Sequence, residues 1–226
     1  MAQRNNIGKK SQPREFVVVG LGRFGSSVAE TLIQYGHDVL GIDCSAERVQ
    51  HLSRDLPHIV QLDATNAEAL RQIGIGQFET AVVAISGNFE SNLLATVLLR
   101  RFGVQHIITK ARTRLQKTIL LEVGAAQVIL PEHDAGVHLA RRLSSQHFID
   151  FLEIRDGISV VEMMAPKSLF GCTLAESNLR QRLGLNVIAV NRESGIVPNP
   201  RADFRIEAGD VLLVLGRIED VEMLRE

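Results

Sequence analysis

Three glycines in the segment GLGRFG have the spacing of a phosphate-binding turn. Gly20, Gly22 and Gly25 follow the apolar run FVVV, which predicts a buried strand, and they precede an apolar pattern of helical period. In such a turn the first glycine permits a tight bend, the second lets the ligand approach, and the third lets the helix pack on the strand. The helix then directs its free N–H groups and the positive end of its dipole at the anion. Because strand and helix are both present, the segment predicts a nucleotide site.

An acidic residue and an arginine extend this predicted site. Asp43 ends the second apolar run, near the spacing of about 20 residues at which a carboxylate binds ribose hydroxyls. A carboxylate there also repels a 2′-phosphate, which disfavours NADP. Arg23 lies inside the glycine turn, where a guanidinium can bind phosphate through two hydrogen bonds. We expect Arg23 to contact a ligand held by its own subunit or by a neighbouring one.

Other predicted strands end in polar residues that would lie along the same edge, because ligands bind beyond the carboxyl ends of parallel strands. These residues are Asp63, Ala64, Thr65, Ser86, Gly87, Asn88, Lys110 and Glu132. Each has an ordinary structural alternative. Asp63 with Thr65 could cap the next helix, and residues 86–88 could form only a turn and a cap. Lys110 could be solvated, and Glu132 could be an acidic residue that the helix dipole stabilises in the first turn of a helix.

Short apolar runs alternate with amphipathic stretches from residue 16 onwards. The predicted strands cover 16–20, 38–43, 58–63, 80–86, 106–110 and 126–130. The predicted helices cover 24–35, 45–54, 66–73, 89–102, 112–123 and 133–146. Strands that are apolar on both faces and separated by helices predict an α/β fold. We therefore expect a Rossmann-like doubly wound parallel sheet, complete by about residue 146.

The remaining chain predicts a small α+β domain of mostly antiparallel strands. Hairpins are expected at Asp156-Gly157 and at Ser194-Gly195, with a further strand pair turning at Gly209-Asp210. One short helix should end at Gly184, and a second should close the chain. The predicted parts are a basic, disordered tail over 1–14, a nucleotide-binding domain over 15–146 and a C-terminal domain over 147–226. A basic arm that binds a partner or an anionic membrane is the alternative for the tail.

Composition narrows the possible functions. A formal net charge of -1 argues against a nucleic-acid binder with a basic surface. No apolar run approaches the roughly 18 residues needed to cross a bilayer, and the polar N-terminus predicts no secretory signal. The two cysteines, Cys44 and Cys172, form no CxxC pair, which fits a reducing cytoplasm.

The chain lacks a recognisable catalytic set. Its one tyrosine, Tyr35, is predicted at the end of the first helix, far from the strand-end edge. The seven histidines are scattered, and neither HExxH nor the GxxxxGK[ST] loop occurs. A nucleotide fold without a proton donor or acceptor for substrate chemistry favours a sensor over an enzyme.

Longer motifs resemble one family across both predicted domains. The matching segments are VVVGLGRFGSSVAETLIQYGHDVLGIDCSAERV, QLDAT, AVVAI, TKA, LEVGAAQVILPEHDAG, LARRL and GDVLLVLG. Together they are similar to the regulatory subunits of Ktr/Trk-type potassium uptake systems, the RCK or KTN domain family. The resemblance runs from about Phe16 to the end of the chain.

This resemblance implies a cytoplasmic protein, peripheral on the inner face of the cell membrane, that gates a separate integral membrane subunit conducting potassium. It implies no enzyme activity. Family members form homo-oligomers, from dimers to an octameric ring. Their first domain binds ATP and ADP, with NAD or NADH in some members, and the two adenine nucleotides favour different ring shapes.

The resemblance also assigns roles to individual residues. The glycine turn, which contains Phe24, and the acid Asp43 would hold the nucleotide, while Arg23 would sense its terminal phosphate. Glu132 is similar to a glutamate associated with a divalent cation such as Mg²⁺ or Ca²⁺. Ser45 stands where relatives often carry asparagine, and the chain has Ser86 where relatives often have glycine, so contacts to the ligand could differ at both positions. Some members bind cyclic di-AMP between two second domains, and the corresponding wall would be Ile188, Val190, Ile196 and Pro198.

Two other functions stay open at this point. A small NAD-dependent oxidoreductase would use the same fold, although the catalytic set is missing. A nucleotide sensor that serves another ion transporter would share every feature of the site.

Overall fold

The computed structural model describes residues 13–144 and 148–224. The chain divides into two compact units, one up to Asp134 and the other from Ala135 onwards. The predicted tail lies outside the described residues except for Pro13 and Arg14, and the predicted domain boundary at residue 146 also lies outside them. In the described part of the chain, no helix is long and apolar enough to span a bilayer.

The first unit contains one parallel sheet with the strand order β3-β2-β1-β4-β5-β6. Its strands are β1 (Glu15–Val19), β2 (Asp38–Asp43), β3 (His58–Gln61), β4 (Thr80–Val83), β5 (His106–Lys110) and β6 (Gln127–Ile129). The helices are α1 (Arg23–Gln34), α2 (Ala46–Leu52), α3 (Ala67–Gln72), α4 (Phe89–Arg101) and α5 (Arg114–Glu122), and α6 (Pro131–Ser144) begins in this unit and continues into the second. This topology confirms the predicted doubly wound sheet, and its order reverses between β1 and β4, where such folds bind ligands.

Strand β1 shows why the sheet is covered on both faces. Val17, Val18 and Val19 are all buried, and neighbouring residues of a strand point to opposite faces. Val17 lies in one apolar cluster with Leu99 of α4, whereas Val18 lies in another with Ala29 of α1. The uninterrupted apolar run is therefore the signature of a central strand between two helical layers.

The second unit is built on one antiparallel sheet with the order β10-β9-β11-β8-β7. Its strands are β7 (Phe148–Arg155), β8 (Ile158–Met164), β9 (Asn186–Arg192), β10 (Gly195–Pro198) and β11 (Val211–Arg217). Its helices are α7 (Leu174–Ser177), α8 (Leu179–Leu183) and α9 (Ile218–Glu222). The small α+β domain is thus confirmed in type.

Local chemistry explains where element predictions in this unit succeed and fail. The β7–β8 hairpin turns at Asp156 and Gly157, both with positive φ, as predicted. The predicted short helix is instead divided by Asn178, whose φ of 49° interrupts it between α7 and α8. The strand predicted before Gly209 is wrong, because Ile206 exchanges backbone hydrogen bonds with Gly171 and Cys172 rather than with β11.

Candidate functional site

A cleft of about 420 Å³ lies where the carboxyl ends of β1, β2, β3 and β4 meet. Its lining includes the predicted residues Gly20, Gly22, Asp43, Asp63, Ala64, Ser86, Gly87 and Asn88. The same lining includes Arg48, which the sequence reasoning missed. The structure therefore brings the glycine turn, the acid and two further strand ends around one space.

Glycine suits each of the three positions in the turn for a different steric reason. Gly20 has a φ of +91°, a backbone conformation that favours glycine. A Cβ on Gly25 would overlap the carbonyl oxygen of Gly20, so the third glycine is required for the helix to pack on the turn. A Cβ on Gly22 would meet no heavy atom within 4 Å, so the second glycine faces open space. These are the bend, packing and approach roles of a phosphate turn.

Helix α1 begins beside this space, since its N-cap Gly22 lines the cleft. Its N-cap, Gly22, offers no side-chain acceptor, and the first intrahelical bond runs from the Ser26 N–H to the Gly22 carbonyl over 2.9 Å. The N–H groups before Ser26 consequently have no partner inside the helix. Together with the helix dipole, they form a site that fits a phosphate group.

Asp43 is buried at the base of the cleft and accepts four hydrogen bonds. The Leu21 and Ser45 N–H groups donate over 2.7 and 2.8 Å, and Arg48 donates through Nε over 2.9 Å and through its terminal nitrogen over 2.8 Å. Burial raises the pKa of Asp43, but hydrogen bonds from Arg48, Ser45 and Leu21 outweigh it, so this pKa lies below its ordinary value. The carboxylate is ionised and paired, and its repulsion of a 2′-phosphate is weaker than the sequence suggested.

Arg48 could have been noticed from its place in the chain. It lies in the first turns of α2, the helix that follows the acid, and its side chain is 50% exposed. Ser45 caps this helix by accepting a hydrogen bond from the Arg48 N–H. An arginine five residues after an acid, across a helix cap, is a signal that the sequence reasoning did not use.

Arg23 is exposed at the first position of α1 and does not line the cleft. Its carbonyl oxygen accepts hydrogen bonds from the hydroxyls of Ser26 and Ser27. Within the described residues, no protein carboxylate pairs with its guanidinium, whereas Arg48 has such a partner. The charge at Arg23 is thus available to a ligand.

The structure shows which of the polar residues that follow β3 and β4 cap a helix. Asp63 does not cap α3, because its Oδ1 accepts hydrogen bonds from the N–H and hydroxyl of Thr65, which lower the pKa of Asp63. Asn66 caps α3 instead. Asn88 caps α4, as the structural alternative held, while Ser86 lines the cleft. Asp63 and Ser86 are therefore exposed to a ligand without a capping role.

Lys110 lies outside this cleft, beside a smaller one of about 110 Å³. It is buried rather than solvated, and its Nζ lies 2.5 Å from Oε1 of Glu132 and 5.7 Å from the centre of the Phe24 ring. The hydrogen bond from Lys110 lowers the pKa of Glu132, which lies in the first turn of α6. The described residues contain no cluster of three or more His, Cys, Asp or Glu side chains around a metal position. The partner of Glu132 is thus an ammonium group, and the divalent cation expected at this carboxylate stays a prediction.

The expected cyclic di-AMP wall needs one correction. Val190 is fully buried in the core of the second unit. It pairs with Val197, whereas Ile196 pairs with Asn191 and Pro198 pairs with Ala189. Because neighbouring residues alternate between faces, Ile196 and Pro198 lie on the opposite face from Val190. Val190 cannot belong to the same exposed wall.

The fold and the cleft define a Rossmann-like domain with a nucleotide-type site, joined to a small β-rich domain. The TrkA-N domain family matches residues 16–131, and the TrkA-C domain family matches residues 158–226. The chain belongs to this TrkA-N/TrkA-C family.

Two relatives of this chain are named for potassium uptake. Ktr system potassium uptake proteins C and A of Bacillus subtilis (strain 168) are each 32% identical to this chain, over 92% of it and 94% of each relative. These names describe transport rather than a catalysed reaction, in agreement with the expectation of a protein that is not an enzyme.

Solved structures support the fold. The GsuK channel bound to NAD has a TM-score of 0.54 at 21% identity, over 96% of this chain and 39% of that one. GsuK bound to ADP has a TM-score of 0.52 at 16% identity, over 59% of this chain and 35% of that one. The chain thus spans less than half the length of these channels.

Proposed function

We propose that this chain is a cytoplasmic regulatory subunit, peripheral on the inner face of the cell membrane, that gates a separate membrane subunit for potassium uptake. It senses ATP and ADP, or NAD and NADH, in the cleft at the switch point. A homo-oligomer, from a dimer to an octameric ring, changes shape with the bound nucleotide. The observation that carries this proposal is the cleft that joins Gly22, the first turn of α1 and the buried Asp43.

Family membership and the cleft support different parts of the proposal. Relatives named for potassium uptake cover almost the whole chain, which supports the transport context. Two solved structures that share this fold are GsuK bound to NAD and GsuK bound to ADP, which supports an adenine nucleotide as the ligand. Two further expected ligands stay predictions: a divalent cation at Glu132, and cyclic di-AMP at exposed positions such as Ile196 and Pro198, with Ile188 nearby in sequence.

A ligand shifts a two-state assembly only by its different affinity for the two states. ATP and ADP differ by one phosphate, so the residue that distinguishes them must contact that phosphate. Arg23 is exposed at the positive end of α1 and has no protein carboxylate as a partner among the described residues. It can therefore bind the terminal phosphate of a nucleotide held by its own cleft or by a neighbouring subunit.

The test is a titration of the purified chain with ATP, ADP and NADH by calorimetry. Arg23→Ala should keep nucleotide binding and narrow the ratio of the ATP and ADP affinities, because only ATP has the third phosphate that the guanidinium would contact. Asp43→Ala is the matched comparison, since loss of the carboxylate that holds the Leu21 N–H of the glycine turn should weaken ATP and ADP equally. Equal loss of both affinities in Arg23→Ala would contradict the sensing role and leave simple binding.

The alternatives have separate readouts. Hydride transfer to or from any member of a substrate panel would favour the oxidoreductase. Co-purification with a membrane partner that does not conduct potassium would favour a sensor of another transporter. Absence of all nucleotide binding would reject the proposed function itself.

A further inference from the structure

The carboxylate that should bind ribose is already saturated. A carboxylate has about four acceptor positions on its two oxygens. In Asp43, Oδ2 accepts from the Leu21 N–H and from Arg48 Nε, and Oδ1 accepts from the Ser45 N–H and from the terminal nitrogen of Arg48. A ribose hydroxyl can donate to this carboxylate only if one of these donors leaves.

The four donors differ in their freedom to leave. The Leu21 and Ser45 N–H groups belong to the glycine turn and to the cap of α2, so the backbone fixes both. The other two belong to one arginine whose side chain is 50% exposed, while that of Asp43 is 3% exposed. The guanidinium can rotate into solvent, where water replaces its hydrogen bonds, without a change in the backbone.

We propose that Arg48 is a specificity-determining residue of the nucleotide site, which acts as a latch on Asp43. The guanidinium of Arg48 donates to both carboxylate oxygens of Asp43, and ribose hydroxyls can donate to these oxygens only after they displace the guanidinium. This inference rests on the proposed function, in that the cleft must bind a nucleotide.

The latch makes a specific thermodynamic prediction. When ribose hydroxyls replace the Arg48 guanidinium on Asp43, charge-assisted hydrogen bonds are lost and weaker ones are formed. This loss cancels most of the binding free energy that the new hydrogen bonds contribute. The ribose hydroxyls therefore add little to binding in the native chain. Without the guanidinium, the same hydroxyls meet a carboxylate with open acceptors and add the full strength of a hydrogen bond to a charged group.

The experiment compares ADP with 2′,3′-dideoxy-ADP in the full chain by calorimetry. The two probes share base and phosphates, so a general loss of folding lowers both affinities alike. In the native chain we expect their Kd values to differ by less than about threefold, and in Arg48→Met by about tenfold or more. Arg48→Lys, which donates without the bidentate fork, should give an intermediate ratio.

Arg54→Met is the matched control, because Arg54 is exposed just after α2 and does not line the cleft. It removes the same charge and should leave the native ratio unchanged. If the ratio of the two Kd values is the same in Arg48→Met as in the native chain, the latch is wrong although the nucleotide still binds. If that ratio is smaller in Arg48→Met, the latch is also wrong, because the guanidinium itself then contacts ribose. If ADP fails to bind the native chain, the proposed function fails and the latch fails with it.

Discussion

At the scale of single residues, each unit contains a buried aspartate held by an arginine through two hydrogen bonds. In the first unit this pair is Asp43 with Arg48, at the cleft. In the second unit it is Asp210 with Arg192, which joins the start of β11 to the end of β9. The first pair borders the ligand space, whereas the second connects two neighbouring strands, so the same chemistry serves a site in one unit and stability in the other.

We predict that Asp210→Asn destabilises the protein in a pH-dependent way. The hydrogen bonds from Arg192 hold the pKa of Asp210 below its ordinary value of 3.8, although burial raises it, and the Glu207 N–H contributes a further bond. A lowered folded-state pKa adds stability above pH about 4, and that stability disappears as the pH falls through the folded-state value. At pH 7 the melting temperature should fall by about 5 °C or more.

Calorimetric melting at pH 7 and pH 3 checks this prediction, and the difference between native chain and variant should shrink at pH 3. Asp203→Asn is the control, because Asp203 is exposed in the preceding turn. A difference of the same size at both pH values would mean that the carboxylate charge is not the stabilising feature.

At the scale of elements, two glycines of the turn between β1 and α1 are predicted to have different roles, one in stability and one in nucleotide binding. Gly25→Ala should lower the free energy of unfolding by about 1–3 kcal/mol, because its Cβ overlaps the Gly20 carbonyl. Gly22→Ala should change that free energy by no more than about 0.5 kcal/mol, since its φ of -70° suits alanine and the space around it is open. The same Gly22→Ala change should weaken ADP binding by about tenfold, because the methyl group enters the phosphate space.

Urea denaturation and ADP titration of both variants measure the two effects separately. The pair controls itself, since the substitution is identical and the positions are three residues apart. A Gly22→Ala variant that binds ADP like the native chain would show that the phosphates lie elsewhere.

The ends of β4 and β5 are positioned by a residue that no motif indicates. Asn92 of α4 is buried and donates hydrogen bonds to the carbonyl oxygens of Ile85 over 2.7 Å and Lys110 over 3.0 Å. Its Oδ1 accepts from the Thr109 hydroxyl over 2.8 Å. One side chain thus connects the segment before Ser86 with the strand that carries Lys110.

At the scale of the whole molecule, we predict self-association. Leu139 and Leu143 are 53% and 78% exposed and lie four residues apart on α6, so they share one face of the helix. Exposed apolar groups of this kind suit contact with another protein surface. Light scattering should give a mass of at least twice the 24.9 kDa of one chain.

The double variant Leu139→Gln/Leu143→Gln should lower this mass, because it makes the α6 face polar. Leu115→Gln is the control, as Leu115 is 71% exposed on a different helix, α5. A native chain that is monomeric with and without ADP would contradict the proposed oligomer.

The sequence by itself determined the doubly wound sheet, the three glycine roles and the position of Asp43. These features follow from local rules: apolar runs of strand length, helical periods, and a backbone turn that requires glycine at Gly20 and Gly25. The strand before Gly209 was predicted wrongly because an isolated apolar pattern does not specify its partner.

Only the tertiary structure decided which groups engage the predicted site residues. Arg48 lies on Asp43, Glu132 lies on Lys110 across 22 positions of the sequence, and Val190 faces the core rather than a ligand. Arg48 reaches Asp43 because the cap at Ser45 orients the start of α2, whereas the pair of Lys110 and Glu132 joins residues from the ends of two different strands. The spacing along the chain places Arg48 near Asp43, but packing in three dimensions decides which donors a carboxylate accepts and which face of a strand is buried.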